Sequence, residues 1–272
     1  MSERIMKTIS TLMQLDRRVA IITGAAGRLG SQICETLAEL GADVVLVDMN
    51  EHGCNELAER IEARYNADVH KLITNLGSED DVRGIPERVL SQYDSIDILV
   101  NCAALVGTSH LQGWTTPFSE QSADTWRLAL EINLTVPFVL TQACSEALKA
   151  TEHGSVINIS SIYGIVGPDM RLYDQTAMGN PAAYAASKGG LLQLTRWLAT
   201  ILAPHVRVNA ISPGGVWNNQ PDPFHSKYVS RTPLGRMATE EDIKGAVAYL
   251  ASDLSAYVTG QNLIIDGGFT IW

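Results

Sequence analysis

The chain has 272 residues, of which 46% are hydrophobic, and its 20 basic and 30 acidic side chains give a net charge of −10. This length and apolar content suffice for one α/β domain with a large core. The negative charge argues against nucleic acid or an anionic membrane surface as a partner. No apolar run approaches the roughly 20 residues of a membrane span, and no signal-peptide pattern is present. The four dispersed cysteines and six scattered histidines show no metal-ligand spacing, so we expect a cytoplasmic protein without a metal site.

The first strong pattern in the chain is a glycine turn between two apolar runs. Residues 19–23 predict a buried parallel strand that leads into the glycine-rich turn 24–30. A helical pattern and a second apolar run, 43–48, follow, and this run ends in Asp48 at the usual spacing beyond Gly30. Glycines let the backbone approach a pyrophosphate, a helix N-terminus offers it free N–H groups, and the acid accepts from a ribose hydroxyl. The segment therefore predicts a dinucleotide-binding unit.

Strand and helix patterns alternate along the remainder of the chain. This alternation implies one parallel sheet covered on both faces by helices. We assign residues 1–16 to an N-terminal arm and residues 17–272 to a single catalytic domain. The further predicted strands are 69–74, 97–101, 155–160, 206–211 and 262–266.

Three long loops follow strand ends at the edge where such sheets bind ligands. They span residues 105–121, 164–180 and 215–235. His110, in the first loop, is the histidine least easily assigned a structural role.

Tyr184 and Lys188 lie four residues apart and so share one face of a predicted helix. Asn180 is expected as the N-cap of this helix, Pro181 as its first residue and Pro204 as the mark of its end. An ammonium group nearby lowers the pKa of a phenol, which can then exchange a proton with an alcohol or ketone. The spacing is common by chance, and taken alone it equally fits an aromatic residue on a buried helix with a solvated lysine.

Ordered motifs along nearly the whole chain resemble the short-chain dehydrogenase/reductase family. The family turn Thr-Gly-x-x-x-Gly-x-Gly is matched by Thr23, Gly24 and Gly30, with Arg28 in place of the middle glycine and a glycine at position 27 instead. The other matching segments are 101–104 (in part), Asn133 in its helix, 154–161 with the serine strand, 208–214 beside the nicotinamide (with Asn218 replacing the usual threonine), and 259–268.

The resemblance implies a role for each residue of a catalytic group. Tyr184 is the general acid or base at the substrate oxygen, and Ser161 hydrogen-bonds that oxygen and stabilises its developing charge. Lys188 lowers the pKa of Tyr184 and holds the nicotinamide ribose, and Asn133 positions a water behind Lys188. Two alternatives stay open: Ser160 in place of Ser161, since only one of the pair faces the cleft, and Asn133 as an amide that caps neighbouring backbone.

The resemblance also implies a fold and a set of ligand contacts. The fold is a Rossmann-type doubly wound sheet of seven parallel strands in the order 3-2-1-4-5-6-7. The implied substrate contacts are Ser161 and Tyr184. The implied cofactor contacts are Gly24, Arg28, Leu29, Gly30, Asp48, Met49, Asn75, Leu76, Asn101, Ala103, Tyr184, Lys188, Pro213, Gly214 and Val216.

Two residues bear on the choice between NAD and NADP, and they disagree. Asp48 accepts from the 2′-hydroxyl of NAD and repels a 2′-phosphate, and Met49 follows it where a basic residue would suit NADP. Arg28 is able to reach a 2′-phosphate, or else lies against Asp48 or the adenine, or is simply solvated. Because a carboxylate that faces a phosphate is costly, we expect NAD as the cofactor and NADP as the less favoured one.

The segment between Ser161 and Tyr184 is longer than is usual in the family. Its extra residues, 167–178, lie near the substrate if both ends hold catalytic residues, and their polar groups suit a hydroxylated or charged ligand. An oligomer contact or a solvated loop is the open alternative. Residues 163–169 and 213–221 resemble short-chain dehydrogenases of bacterial surface-sugar and flagellin-glycan biosynthesis.

These features predict an NAD-dependent oxidoreductase that interconverts a secondary alcohol and a ketone on a sugar or sugar-derived substrate. A 3-oxoacyl reductase or a polyol/gluconate-type dehydrogenase is the alternative enzyme. A non-catalytic dinucleotide-binding sensor or assembly subunit also stays open, because a fold alone does not establish function.

The chain is expected to assemble as a homotetramer or homodimer, as the resemblance implies. The predicted helices 122–149 and 181–203 each carry an apolar surface that is wide enough to pack against both the sheet and a partner subunit. The terminal Trp272 is expected to pack at or near a subunit interface.

Overall fold

The computed structural model describes residues 6–107, 109 and 111–272. His110 and the first five residues of the predicted arm lie outside the described residues. All seven strands belong to one parallel sheet in the order β3-β2-β1-β4-β5-β6-β7, as predicted. The strands are β1 (Val19–Thr23), β2 (Asp43–Asp48), β3 (Val69–Ile73), β4 (Ile98–Asn101), β5 (Ser155–Ile159), β6 (Arg207–Pro213) and β7 (Asn262–Ile265).

Ten α-helices connect or flank the strands within the described part of the chain. They are α1 (Ile9–Met13), α2 (Arg28–Glu39), α3 (Glu51–Arg64), α4 (Glu79–Arg83), α5 (Ile85–Leu90), α6 (Ala123–Leu130), α7 (Val136–Ala150), α8 (Ala182–Leu202), α9 (Asp222–Arg231) and α10 (Glu241–Ala251).

Helices cover the sheet on both faces because every second side chain of a strand points to the same side. In β1, Ala20 and Ile22 join the core beneath α2, α3 and α10. Val19 and Ile21 of the same strand join the opposite core, which α4, α5, α7 and α8 cover. All five residues of β1 are buried, as expected of a central parallel strand.

The described part of the predicted N-terminal arm packs against the domain. Leu15 is fully buried in the core, and its N–H donates to Leu40 O at 2.8 Å. Lys7 pairs with Asp253 at 3.5 Å. The hydroxyl of Thr8 accepts from Thr11 N and caps the short helix α1.

A wide helical turn, Glu131–Thr135, joins α6 to α7. The whole helical segment Ala123–Ala150 is long and apolar enough to cross a membrane by length and composition alone. Core helices pass the same test, and α7 packs against α4, α5 and the strands β4 and β5. We therefore take it as a core helix. Its wide turn matters because single turns of this kind are frequent at functional sites.

Helix α8 begins one residue later than predicted. Pro181, with φ −71° and ψ 144°, is the N-cap, and Ala182 is the first helical residue. The cap contact comes from elsewhere in the chain: Ala182 N donates to Gln121 Oε1 at 3.1 Å. Asn180 is therefore not the N-cap, and its side chain is free for another contact. The helix ends at Leu202, before Pro204, as predicted.

Candidate active site

A cleft of about 680 Å³ lies at the carboxyl ends of the central strands. All the predicted cofactor contacts except Asn101 line this cleft, together with Ser161. Ligands of open α/β sheets bind at this edge, where the strand order reverses between β1 and β4.

The glycine turn packs closely against the loop after β4, and the first turn of α2 packs closely against the glycine turn. Gly24 has φ +66°, and a Cβ there would lie 2.8 Å from the Cα of Ala103. A Cβ at Gly30 would lie 2.0 Å from Gly24 O. Gly27 is the N-cap of α2 and Arg28 is its first residue, so the missing middle glycine falls on a helical position that tolerates a side chain. The turn therefore fits a dinucleotide pyrophosphate at the N-terminus of α2.

Asp48 is held in the cleft by two backbone donors. Its Oδ2 accepts from Ala26 N at 3.0 Å, and its Oδ1 accepts from Asn50 N at 2.9 Å. Met49, beside it, is exposed. The carboxylate is thus fixed in position at the end of β2, where a ribose would lie.

Arg28 turns towards the opposite wall of the cleft. It forms an ion pair with Glu240, and its Nη2 donates to Trp217 O at 2.7 Å. Of the alternatives to a phosphate contact, a pairing with Asp48 is not formed, and the side chain is partly exposed but bonded to protein groups. Arg28 therefore links the glycine turn to the loop after β6, and its charge is already matched by an acid.

Tyr184, Ser161 and Lys188 meet at the base of the cleft. Lys188 is buried, its Nζ donates to Ile159 O at 2.7 Å, and it lies 5.8 Å from the centre of the Tyr184 ring. The hydroxyl of Ser160 donates to Lys188 O at 3.0 Å, so this hydroxyl is occupied by the backbone of α8. Ser161 Oγ accepts from Tyr163 N at 3.1 Å and also interacts with Tyr184.

The electrostatics of this group differ from the sequence-based expectation. Burial raises the pKa of Tyr184, and the hydrogen bond with Ser161 opposes that rise only in part. Burial also lowers the pKa of Lys188, to about 8. Desolvation of the phenolate therefore dominates in the protein by itself, and the lowering of the Tyr184 pKa by Lys188 stays a prediction.

Asn133 sits at the centre of the wide turn and clamps a loop. Its Oδ1 accepts from Leu105 N at 2.7 Å, and its Nδ2 donates to Leu105 O at 3.0 Å and to Ser187 Oγ at 3.1 Å. Trp114 is buried and donates its indole N–H to Val106 O at 2.7 Å. The start of the loop after β4 is thus fixed beside α8. In these bonds Asn133 caps neighbouring backbone, which is one of the two roles that the sequence left open for it.

The side chain of Asn101 lies in the core and not in the cleft. Its Nδ2 donates to Asn158 Oδ1 at 2.8 Å, and Asn158 donates in turn to Thr195 Oγ1 at 2.9 Å. Asn101 is thus the one predicted cofactor contact whose residue does not line the cleft, and its contact with the cofactor stays a prediction. Side chains alternate along β4, so Asn101 points into the core.

The sequence did not single out the aromatic wall at the substrate end of the cleft. Four rings line it, from the segment after β5 and from α9: Tyr163, Tyr173, Phe224 and Tyr228. Tyr173 and Phe224 lie 5.3 Å apart between ring centres. The length of the segment after Ser161 was the only available signal for this wall.

The segment 164–180 is tied to α9. Asp169 forms ion pairs with Arg231 of α9 and, at 2.8 Å, with Arg171. Lys227 of α9 donates to Arg171 O at 2.9 Å and to Asp174 O at 3.0 Å. Together the segment and α9 form a cover over the substrate end, which we call the lid.

This cleft, with a dinucleotide cradle at one end and a Ser-Tyr-Lys group at its base, defines a dinucleotide-binding oxidoreductase that acts on CH–OH groups. Residues 24–270 match the family model described as "Enoyl-(Acyl carrier protein) reductase". The chain belongs to the short-chain dehydrogenase/reductase family.

Two relatives illustrate the range of the family. The trans-4-hydroxycyclohexanecarboxylate dehydrogenase of Sinomonas cyclohexanicum is 36% identical over 262 residues, which is 93% of each chain. The 3-oxoacyl-(acyl-carrier-protein) reductase of Thermotoga maritima is 31% identical over 266 residues, 95% of this chain and all of that one.

Two solved structures share the fold and differ in cofactor. A short-chain dehydrogenase from Leptospira borgpetersenii with bound NAD+ has a TM-score of 0.81 and 32% identity, over 98% of this chain and 97% of that one. A gluconate 5-dehydrogenase from Burkholderia cenocepacia, in complex with NADP and tartrate, has a TM-score of 0.85 and 28% identity, over 97% and 100%.

Proposed function

We propose that this protein is an NAD-dependent dehydrogenase that interconverts a secondary alcohol and a ketone on a neutral, hydroxylated ring. The observation that carries the proposal is the meeting of Tyr184, Ser161 and Lys188 in the same cleft as the backbone-held carboxylate of Asp48. A phenol, a hydroxyl and an ammonium at the base of one cleft are the groups that alcohol–ketone chemistry requires.

Each of these side chains has a distinct task in the proposed reaction. A nicotinamide dinucleotide, when bound along Gly24, Asp48 and Gly214, supplies the hydride chemistry. Ser161 donates a hydrogen bond to the substrate oxygen and so orients it. Tyr184 removes the proton of the alcohol, or returns it to the ketone oxygen. Lys188 places its positive charge beside the phenolate form of Tyr184, which takes up the proton in oxidation and is left behind after reduction.

The preference for NAD rests on the two residues that the sequence left in conflict. Asp48 accepts two backbone hydrogen bonds and is held facing the ribose position. Arg28 is paired with Glu240 and with Trp217 O, so its charge is engaged before any phosphate arrives. Both observations support NAD over NADP.

The lining of the cleft supports a neutral substrate. Among the described residues that line it, the charged side chains are Arg28, Asp48 and Lys188, and all three belong to the cofactor or catalytic groups. The substrate end is built from aromatic and thioether side chains, which suit the C–H face of a ring. A sugar or sugar-derived ring fits this end, and a phosphorylated sugar fits it less well. The name of the Sinomonas relative denotes a ring alcohol that carries a carboxylate, so this relative supports a ring substrate and not a neutral one.

A 3-oxoacyl reductase is the second candidate, because the Thermotoga relative carries that name. A polyol/gluconate-type dehydrogenase is a third, because the similar Burkholderia structure is a gluconate 5-dehydrogenase.

We also propose a cytoplasmic homodimer or homotetramer. Trp197 and Ile201 on α8 are more than half exposed in the single chain, and Leu128 on the neighbouring α6 is 42% exposed. An apolar surface of this kind on paired helices is suited to a two-fold interface.

A substrate panel tests the proposal. Initial rates of NAD reduction should be measured with sugars, cyclic diols, gluconate-type acids and 3-hydroxyacyl thioesters, and each should be repeated with Tyr184→Phe. We expect turnover that depends on Tyr184 and is highest with neutral ring alcohols. Turnover only with acyl thioesters would move the function to the second candidate, and the absence of any Tyr184-dependent turnover would count against an enzyme.

A further inference from the structure

The side chain of Arg28 joins the two walls of the cleft at its cofactor end. Arg28 is the first residue of α2 and lines the cleft on the side of the glycine turn. Its Nη2 donates to Trp217 O at 2.7 Å, and its guanidinium pairs with Glu240. Val216 and Asn218, on either side of Trp217, line the facing wall. We call this connection from wall to wall the arginine link.

The two acceptors of Arg28 are held together as one unit. Trp217 N donates to Ala238 O at 2.8 Å, and Ala238 N donates to Gly215 O at 2.9 Å. These bonds fix the loop after β6 to the residues just before α10, and Glu240 is the N-cap of that helix. The far wall is therefore rigid, and the arginine link breaks by movement of the Arg28 side chain.

The arginine link stands between the two ends of the proposed dinucleotide site. Asp48 marks the adenosine ribose end, and Tyr184 and Lys188 mark the nicotinamide end. A dinucleotide that reaches both ends lies across the glycine turn, with its pyrophosphate at the N-terminus of α2. Because Arg28 begins that helix, the link lies in the middle of the site, at the level of the pyrophosphate.

The strength of the link suits a contact that opens and closes. The side chains of Arg28 and Glu240 are 44% and 26% exposed. Water and salt screen a partly exposed ion pair, so such a pair stabilises little and re-forms readily. A contact of this strength slows the passage of a ligand and does not block it.

We propose that the arginine link is a gate for cofactor exchange. The link is formed in the protein without cofactor, opens to admit the dinucleotide, and re-forms across the pyrophosphate. It therefore has to break again before the cofactor leaves. This inference rests on the proposed function and adds a positioning role for Arg28, which acts by keeping the cofactor in place and takes no part in the transfer of hydride or proton.

Stopped-flow kinetics of NADH binding to the wild type and to Glu240→Ala test the gate. NADH fluorescence gives the signal, and displacement by excess NAD gives the dissociation rate constant. Glu240→Ala removes one acceptor of the link and leaves Arg28 in place. Both the association and the dissociation rate constants should rise by roughly 3- to 10-fold, and the dissociation constant should change less than either of them.

A simple attraction between Arg28 and the pyrophosphate gives the opposite sign. In that case Glu240 competes with the phosphates for the guanidinium, so Glu240→Ala would free Arg28 for them and slow the dissociation of NADH. Slower dissociation in Glu240→Ala would therefore overturn the proposal.

Two further variants control for charge and for the arginine itself. Glu241→Ala removes the same charge from the next residue, which is exposed, and should leave both rate constants within about twofold of the wild type. Arg28→Met keeps an unbranched side chain and removes the donors, so it should raise the dissociation rate constant as Glu240→Ala does. Thermal unfolding of each variant without cofactor checks that the fold is kept. Unchanged rate constants in both Glu240→Ala and Arg28→Met would overturn the gate.

This experiment needs no turnover, so it separates the gate from the proposed function. If the wild type oxidises no alcohol of the panel, the dehydrogenase proposal fails, and the rate constants for NADH still decide the inference. If the wild type binds NADPH and not NADH, the same measurements with NADPH decide it. Binding of neither dinucleotide overturns it.

Discussion

Replacing Asp48 with serine should shift the cofactor preference from NAD towards NADP. In the wild type, both carboxylate oxygens accept backbone N–H groups, from Ala26 at 3.0 Å and from Asn50 at 2.9 Å. The carboxylate therefore cannot turn away when a 2′-phosphate approaches. In Asp48→Ser the charge disappears, and the freed backbone donors face an incoming phosphate.

The size of the effect follows from two contributions. Two unit charges 4 Å apart repel by about 4 kcal/mol at an effective dielectric of about 20. Asp48 is partly exposed, so salt and water screen the repulsion, and we take about 2 kcal/mol, which is about 30-fold in binding. Loss of a charge-assisted hydrogen bond to the ribose weakens NAD by about 1.5 kcal/mol more. The ratio of the two dissociation constants should thus change by roughly 100- to 1,000-fold.

Fluorescence titration of the wild type and Asp48→Ser with NAD and NADP measures this ratio. Asp43→Ser is the matched control, because Asp43 lies on the same strand at the end remote from the cleft and bonds Asp68 N at 2.8 Å. The control should leave the ratio unchanged. Tighter binding of NADP by the wild type, or an unchanged ratio in Asp48→Ser, would refute the reasoning.

Four further results are expected. Tyr184→Phe should lower turnover by about 100-fold or more because the proton-transferring group is lost, while NAD binding in a titration stays near that of the wild type. Burial lowers the pKa of Lys188 to about 8, so the unfolded chain keeps this proton to higher pH than the folded protein does. The free energy of unfolding in urea, measured for the wild type relative to Lys188→Met, should therefore rise between about pH 8 and 10. A difference that stays constant with pH would contradict the burial argument. Asp169→Asn weakens the ion pair between the lid and Arg231, so KM for the substrate should rise several-fold while the NAD affinity stays unchanged. The control Asp124→Asn removes an exposed ion pair and should change neither quantity. Light scattering should give a multiple of the 29.5 kDa chain mass, and an active monomer would refute the predicted assembly.

The order of elements was readable from the sequence because its signals are local. Apolar runs of strand length, helical periodicity between them and the glycine turn each depend on neighbouring residues alone. The sheet order and the cofactor contacts came from the family resemblance, and the structure confirms that order. Residues such as Gly24 and Asp48 then meet in one cleft because parallel strands end at the same edge.

Contacts between distant segments were decided only by the tertiary structure. Arg28 meets Glu240, which is 212 residues away along the chain, so nothing beside Arg28 in sequence reveals that its charge is matched. The same holds for Gln121, which lies 61 residues before Ala182 in the chain and caps α8 in place of Asn180.

The environment of a titratable group is likewise a tertiary property. The spacing of Tyr184 and Lys188 predicted their shared helix face, but the pKa of each depends on how many atoms exclude water around it. Sequence spacing determines which side chains share a face of one element. Burial, ion pairing and the aromatic wall arise where separate elements pack together, and the proposals for the cofactor and the substrate rest on them.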